Sequence, residues 1–357
     1  MGRRIALLAA SGLAVAGTVV PGGAALAATP VTCGAHLTTN ATLTADLTCP
    51  AGVALTFDAG VTLDLGGHRL GGSGEIVVPP NVQGAVIRNG TLQGLVVRVG
   101  DIAEPASSVT VRRVTMLGSG VFAVGGTATV ERSRFPDGGS VTSFYGRVRV
   151  SDSLFDGGGV GGGSSYETSV TRSTIRNAEV ALSCSEASCS LTDSRLVHNG
   201  TVYDGWESAL TMTGNVIKDS GIGYTVRDDV GQADDSPDIV TDNRFVGNDV
   251  ATHLGPGASA NVQGNRFTGN RRGIEGHVLD EEWATFRVLL QDNVLTGNVD
   301  AIYVPDAFLA DPTGYSLQGN RAIRNTGWGI YAPRATDLGG NVARGNGQQP
   351  QCVGVAC

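Results

Sequence analysis

The chain has 357 residues, with 25 basic and 33 acidic side chains and a formal net charge of −8 at pH 7. An acidic chain without basic clusters argues against nucleic acid or an anionic membrane as its partner. Its 53 glycines argue against a fold built from long helices.

The N-terminal segment has the pattern of a secretory signal peptide. Arg3 and Arg4 precede an uncharged apolar run, and small residues stand at Ala25 and Ala27. This pattern is typical of a leader removed after export, so we assign residues 1–27 to a signal peptide and expect a secreted, extracellular protein. No later stretch approaches the ~20 apolar residues of a membrane span, and we expect a monomer without a membrane partner.

The six cysteines follow this leader in three close pairs, and their spacing is not that of a zinc site. In an exported chain, the simplest arrangement is three local disulfides. The expected pairs are Cys33 with Cys49, Cys184 with Cys189, and Cys352 with Cys357. We interpret residues 28–60 as an N-terminal cap and residues 348–357 as a disulfide-closed tail.

Between these ends a short phrase recurs every 20 to 28 residues. The string "VQGNRFTGNRRG" around Asn265 has close counterparts around Asn243 and Asn293. Apolar residues stand three before and two after each anchor, with mostly polar residues between them, which is the alternation of β-strands. A further short strand follows each phrase, as in "GIYA" from Gly329. Three short strands per repeat predict an all-β solenoid at residues 61–347, a parallel β-helix of about 12–13 coils.

The period, the Asn-centred phrase and the "G-I-Y/E" strand resemble the right-handed parallel β-helix proteins of the pectate-lyase-like superfamily, including the NosD-type and carbohydrate-active repeat families. The resemblance implies that each anchor lies in a tight turn with a left-handed backbone, and that stacked anchors form hydrogen-bonded ladders. The repeat spacing places anchors at Asn89 and Arg113 in the early coils. The expected asparagine ladder comprises Asn215, Asn243, Asn265, Asn293, Asn320 and Asn341, after a serine ladder of Ser133, Ser153, Ser173 and Ser194.

In the resembled superfamily the working surface is the outer face of the "GIYA"-type strands. The candidate catalytic residues are Glu275, His253, Arg272 and Asp228. The His-Gly and Arg-x-Lys elements of polygalacturonases have no match in the sequence, and no motif surrounds a candidate lyase base. The candidate sugar-binding aromatic residues are Tyr303, Tyr331, Trp283 and Tyr203, with the strand register open by one residue at Tyr203 and Tyr224.

Three long insertions follow these strands at residues 227–238, 277–286 and 305–314, and they are rich in carboxylates. Asp228, Asp229 and Asp235 are candidate ligands for Ca²⁺, which prefers oxygen donors. The sequence therefore predicts contact with an extracellular polysaccharide along the C-terminal coils, through lyase, epimerase or hydrolase chemistry. The alternative is a non-catalytic structural or binding β-helix.

Overall fold

A computed structural model describes residues 30–102, 106–227, 237–255, 257–276, 287–305 and 314–357. Within these ranges every regular element is a β-strand, so the all-β prediction is confirmed. No helix in the described ranges is long and apolar enough to cross a membrane. The expected signal peptide at residues 1–27 lies outside the described residues.

The strands are short and follow one another at regular intervals. The first twenty are β1 Ala35–Leu37, β2 Ala41–Thr42, β3 Leu47–Cys49, β4 Val53–Phe57, β5 Thr62–Asp64, β6 Arg69–Gly72, β7 Glu75–Val78, β8 Ala85–Gln93, β9 Val96–Val99, β10 Ser108–Leu117, β11 Gly120–Val124, β12 Thr127–Glu131, β13 Arg134–Phe135, β14 Val141–Phe144, β15 Arg147–Ser151, β16 Leu154–Asp156, β17 Val160–Gly163, β18 Glu167–Thr171, β19 Thr174–Arg176 and β20 Val180–Ser185. The others are β21 Ser188–Thr192, β22 Arg195–Val197, β23 Thr201–Trp206, β24 Ala209–Thr213, β25 Val216–Lys218, β26 Ile222–Arg227, β27 Asp238–Thr241, β28 Arg244–Val246, β29 Val250–Leu254, β30 Ser259–Gln263, β31 Arg266–Thr268, β32 Arg272–Gly276, β33 Arg287–Gln291, β34 Val294–Thr296, β35 Asp300–Tyr303, β36 Tyr315–Gln318, β37 Arg321–Ile323, β38 Ile330–Tyr331, β39 Thr336–Asp337, β40 Val342–Arg344 and β41 Cys352–Val353.

These strands stack into a right-handed parallel β-helix, as predicted. One sheet, here called sheet A, contains 15 strands in the order β1-β4-β7-β9-β11-β14-β17-β20-β23-β26-β29-β32-β35-β38-β41. The remaining strands form two further parallel stacks, which meet in the long strands β8 and β10. Each coil contributes one strand to sheet A, so residues far apart in sequence become neighbours along the axis.

The interior is built by alternation along each strand. In β15, Val148 and Val150 are buried while Arg147 and Arg149 point outward. Inward side chains of successive coils stack directly; the rings of Phe245 and Phe267 lie 4.9 Å apart and nearly parallel. Such stacking of identical residues buries apolar surface that one coil could not bury alone.

The anchor asparagines form a buried hydrogen-bonded column along the axis. The Oδ1 atom of Asn265 accepts hydrogen bonds from the backbone N–H of Asn243 at 2.9 Å and from its Nδ2 at 3.1 Å. Asn265 in turn donates to Oδ1 of Asn293 at 3.1 Å and to the carbonyl of Val240 at 2.7 Å. The same pattern links the described column from Asn215 to Asn341.

The prediction that the anchors themselves adopt the left-handed conformation is wrong. The residue before each anchor does so, as in Asp242 at φ 56° and Gly264 at φ 67°. The early anchors were placed one residue too soon: Val114 donates its N–H to Oγ of Ser133, so Val114 is the true equivalent and Arg113 occupies the left-handed position. The anchor assigned to Asn89 is also one residue too early. Gly90 pairs with Val114 and is the true equivalent, while Asn89, at φ 59°, occupies the left-handed position.

A second column, absent from the sequence analysis, runs parallel to the first. Its members stand five residues after the anchors, and the Oδ1 of Asn298 accepts from both the backbone and the Nδ2 of Asn270. The column comprises Asn199, Ser220, Asn248, Asn270, Asn298, Asn325 and Asn346. The two columns therefore accept hydrogen bonds from the backbone N–H groups at both ends of the short strands that lie between them, such as β31.

All three predicted disulfides are formed, with Cα–Cα distances of 5.4, 6.6 and 6.3 Å. The last disulfide lies beside the C-terminal end of the second column. There Oε1 of Gln351 accepts from the N–H and Nδ2 of Asn346, and its Nε2 donates to the carbonyls of Asn346 and Gln348. Three disulfides are typical of a protein from an oxidising compartment.

Candidate functional site

The outward side chains of sheet A form one continuous line across the C-terminal coils. Parallel pairing places Asp204 beside Thr225, Thr225 beside His253, His253 beside Glu275, and so on to Tyr331. This line, here called the outer row, comprises Asp204, Thr225, His253, Glu275, Tyr303 and Tyr331. Adjacent strands lie about 4.8 Å apart, so neighbouring side chains in the row can contact the same ligand.

The register excludes Tyr203 and Tyr224 from this surface. Both tyrosines are fully buried, with rings stacked 5.7 Å apart in the interior. The Tyr203 hydroxyl lies 2.7 Å from Oγ of Ser208, and the Tyr224 hydroxyl donates to the buried carboxylate of Asp238 at 2.8 Å. The interpretation of Tyr203 as a sugar-binding residue is therefore wrong, because internal polar partners hold its hydroxyl inside the coil.

Arg272 and Glu275 reach the same surface because β32 bends at Gly273. Gly273 and Ile274 are both buried, which interrupts the alternation and turns the residues on either side outward. A side chain at Gly273 would meet the carbonyl oxygen of Ala301 at 2.5 Å, although the neighbouring strands β29 and β35 make the same step with Ala251 and Ala301. The residue before the buried Gly273-Ile274 pair therefore also points outward. In β32 this residue is Arg272, three positions before Glu275.

Glu275 is the centre of a polar cluster on this surface. Its side chain is only 14% exposed and forms an ion pair with the Arg272 guanidinium. Nδ1 of His253, on the preceding coil, lies 3.7 Å from the other carboxylate oxygen. The carboxylate therefore has a cation on one side and an imidazole on the other, an arrangement that can orient the imidazole for proton transfer.

An aromatic group continues the surface on the C-terminal side of Glu275. The rings of Tyr303 and Tyr331 stack 5.4 Å apart, and Trp328 lies 4.8 Å from Tyr331. The Arg272 guanidinium lies 5.3 Å from the Tyr303 ring centroid. Because the ring faces are turned toward these neighbours, a ligand lying on the sheet would meet mainly ring edges and hydroxyl groups.

Sequence reasoning missed Trp328, although it stands at the position equivalent to Arg272, three residues before the outer row. The other candidates, Asp228, Asp229, Asp235 and Trp283, lie outside the described residues. Within the described part of the chain, no group of three or more His, Cys, Asp or Glu side chains is placed to hold a metal ion.

Residues 162–347, just over half of the chain, match the family model described as periplasmic copper-binding protein (NosD). No curated protein is similar to the chain in sequence.

Solved structures with a similar fold include three carbohydrate-related or phage proteins. The A-module of the mannuronan C-5 epimerase AlgE4 of Azotobacter vinelandii is 14% identical, with 85% of this chain and 91% of that chain covered and a TM-score of 0.39. The catalytic domain of a GH87 α-1,3-glucanase in complex with nigerose is 10% identical, with 90% and 70% covered and a TM-score of 0.45. Tailspike protein 3 of bacteriophage CBA120 is 12% identical, with 89% and 56% covered and a TM-score of 0.32. At these identities, no residue of this chain takes a role from those proteins.

Proposed function

This chain belongs to the NosD family of β-helix proteins, and from the geometry of its outer row we propose that it is an exported protein that binds extracellular polysaccharide. The contact surface is the part of the outer row from His253 to Tyr331, together with Arg272 and Trp328. The signal peptide pattern of residues 1–27 and the three disulfides support export.

One observation carries the proposal. Five residues selected from four different repeats lie side by side on one surface: His253, Arg272, Glu275, Tyr303 and Tyr331. Tyrosine hydroxyls and a guanidinium can form hydrogen bonds with the hydroxyl groups of a sugar, and the exposed ring edges add apolar contact. The long insertions follow β26, β32 and β35 directly in the chain, and loops that follow regular strands commonly contribute to binding.

The cluster also contains the groups needed for acid–base chemistry. We assign His253 as the group that moves a proton, with the Glu275 carboxylate 3.7 Å from its Nδ1 and Arg272 balancing the carboxylate charge. Such a pair would serve a lyase, epimerase or hydrolase equally. The non-catalytic alternative is supported by the Arg272–Glu275 ion pair, since a neutralised carboxylate can simply fix the binding surface.

Copper, which the family description names, does not fit the described residues. All six cysteines are in disulfides, and Met116 and Met212 are buried in the core. Copper sites use thiolate, thioether and clustered imidazole ligands, which the described surface does not bring together. The carboxylates Asp228, Asp229 and Asp235 remain proposed Ca²⁺ ligands.

The test is a binding and turnover panel with the purified mature protein. Neutral and uronic polysaccharides are incubated with the protein in Ca²⁺ or in EDTA, and binding, chain shortening and unsaturated-uronide absorbance are followed together. Tyr303→Ala should weaken binding roughly tenfold, whereas Tyr166→Ala should not, because this exposed tyrosine follows β17, six strands before β35 in the order of sheet A. His253→Ala should abolish any product while retaining binding.

Each outcome has a defined meaning. Failure of every polysaccharide to bind would refute the proposal. Binding that survives in Tyr303→Ala would move the contact surface elsewhere. Binding without product from any substrate would select the non-catalytic alternative, and loss of binding in EDTA alone would support the Ca²⁺ assignment.

A further inference from the structure

An arginine-rich surface lies on the outside of the early coils, on the strands β10, β12 and β13 rather than on sheet A. Parallel pairing places Arg134 beside Thr115 of the preceding coil. Arg113 and Arg132 occupy the same left-handed turn position in successive coils, at φ 56° and 50°. Adjacent strands lie about 4.8 Å apart, so these side chains leave the surface close to one another. They and the partly exposed Arg112 are here called the arginine patch.

The carboxylates that flank the patch are already bound by other arginines. Asp64 accepts a hydrogen bond from Nε of Arg88 at 2.9 Å, and Asp152 accepts from Nε of Arg172 at 2.9 Å. Arg132 acts on Asp152 only through a weaker charge interaction than that of Arg172. Within the described part of the chain, no guanidinium of the arginine patch forms an ion pair or a hydrogen bond.

Two further carboxylates lie near the patch, and neither neutralises it. Glu131 stands beside Arg112 in the register of β10 and β12, and Asp137 is exposed in the turn after β13. Neither forms an ion pair with a described residue. Four guanidinium groups thus face one carboxylate among them and one at the margin. The patch is therefore positive on a chain whose net charge is −8.

The fold does not explain these arginines. Nε of Arg112 is buried and has no hydrogen-bond partner, and Arg88 lies directly beside Arg112 in the register. A buried donor without an acceptor and two like charges on paired strands both destabilise a protein. The turn position of Arg113 carries Asp242 or Gly264 in later coils, so the turn does not require arginine. The missing component is an acceptor with negative charge.

We infer that the arginine patch binds a phosphate group. Guanidinium is a planar fork that donates two parallel hydrogen bonds to a phosphate. A phosphomonoester has a charge of about −1.5 to −2 and three acceptor oxygens, so it can satisfy several guanidinium groups at once. A carboxylate has only a single charge and two oxygens. The inference is independent of the proposed polysaccharide site, because the patch and the outer row are on different strands.

The experiment removes two patch arginines and measures phosphate binding. Full-length protein is titrated with inorganic phosphate, glucose 6-phosphate and galacturonate, and binding is followed by calorimetry and ³¹P NMR. The double variant Arg113→Gln/Arg132→Gln removes two charges from the patch. Arg195→Gln/Arg321→Gln removes the same charge from exposed arginines whose register neighbours are threonine and valine. Circular dichroism checks the fold, and Arg134→Gln tests the patch outside the turn.

We expect Arg113→Gln/Arg132→Gln to weaken phosphate binding roughly tenfold or more, because charge-assisted hydrogen bonds are lost. Arg134→Gln should weaken it in the same direction, and Arg195→Gln/Arg321→Gln should match the wild type. Equal affinities for the two phosphate probes would identify free phosphate as the ligand. Tighter binding of glucose 6-phosphate would identify a phosphate attached to a sugar.

Three results would overturn the inference. They are the absence of saturable phosphate binding by the wild type, an equal loss in the control Arg195→Gln/Arg321→Gln, and tighter binding of galacturonate than of phosphate. Wild-type affinity in a correctly folded Arg113→Gln/Arg132→Gln protein would also exclude the patch as the site. The polysaccharide proposal fails separately, in the assays with Tyr303→Ala.

Discussion

The asparagine column predicts a large and specific loss of stability for Asn265→Ala. The substitution removes the acceptor of the buried Asn243 backbone N–H and the side-chain donor to the Val240 carbonyl. Asn243 keeps its own bond to the carbonyl of Met212. Leaving a buried polar group unsatisfied costs about 1–3 kcal/mol, so two groups predict a loss of about 2–6 kcal/mol in the free energy of unfolding.

Asn265→Ser separates the two contributions. In the serine part of the column, Oγ of Ser153 accepts from the backbone N–H of Ser133 and donates to the carbonyl of Ser151 in its own coil. A serine at position 265 can therefore serve the Asn243 N–H, but its contact with the Val240 carbonyl on the preceding coil would be weak: the equivalent bond from Oγ of Ser133 to the carbonyl of Val111 is 3.4 Å long, against 2.7 Å for Asn265. We expect it to lose about 1–3 kcal/mol, roughly half the effect of alanine.

Urea unfolding followed by circular dichroism measures both variants. Because repeat arrays can unfold in stages, the m-value must match that of the wild type, and hydrogen exchange at the Asn243 amide gives a local measurement. The control is Asn261→Ala, a half-exposed asparagine on β30 in the same coil, which should change stability by less than about 0.5 kcal/mol. An Asn265→Ala protein as stable as this control would refute the reasoning.

Three further changes test the interior and the outer charges. Tyr224→Phe removes the hydroxyl that donates to buried Asp238, and should cost about 2 kcal/mol in the same urea assay; an unchanged midpoint would contradict this. Phe267→Ala should cost about 3–5 kcal/mol through the cavity it leaves, and a loss below 1 kcal/mol would show that the coil collapses around it, both on the scale of large core truncations. The hydrogen bonds and charge of Arg172 hold the pKa of Asp152 below its usual value, so this pair stabilises the fold above the unfolded pKa of about 3.9 and ceases to do so as pH falls through the lower folded-state pKa. Arg172→Gln should raise that pKa in an NMR titration, and an unchanged titration would exclude the pairing in solution.

The sequence predicted the scaffold well because the scaffold repeats. Asn265 and Phe267 recur with the same neighbours in several coils, so one phrase reveals the strand alternation, the ladder and the internal stack together. The second column follows the same logic at a fixed offset of five residues, as in Asn270 and Asn298. Its signal is present in the sequence as the "GN" pairs at Gly269-Asn270 and Gly297-Asn298.

The site was harder to predict because it depends on departures from the repeat. A bend in β23 decides that Tyr203 faces inward, and inside the coil its hydroxyl shares a hydrogen bond with Oγ of Ser208. Local alternation cannot reveal that partner. Likewise, the approach of Arg272 to Glu275 depends on the bend at Gly273, which the sequence shows only as a glycine among many.

Gln351 terminates the second asparagine column, and this affects what the end of the column can offer to a neighbouring molecule. From Asn248 to Asn325 each asparagine of that column donates its Nδ2 to the Oδ1 of the next one, so a last coil that ended in the same way would offer an amide to any similar strand that approached it. Gln351 accepts from Asn346 and turns its own amide back to the carbonyls of Asn346 and Gln348. The second column thereby ends in hydrogen bonds within its own coil, and its last side-chain amide is not turned toward a further strand, as it would be in an open stack.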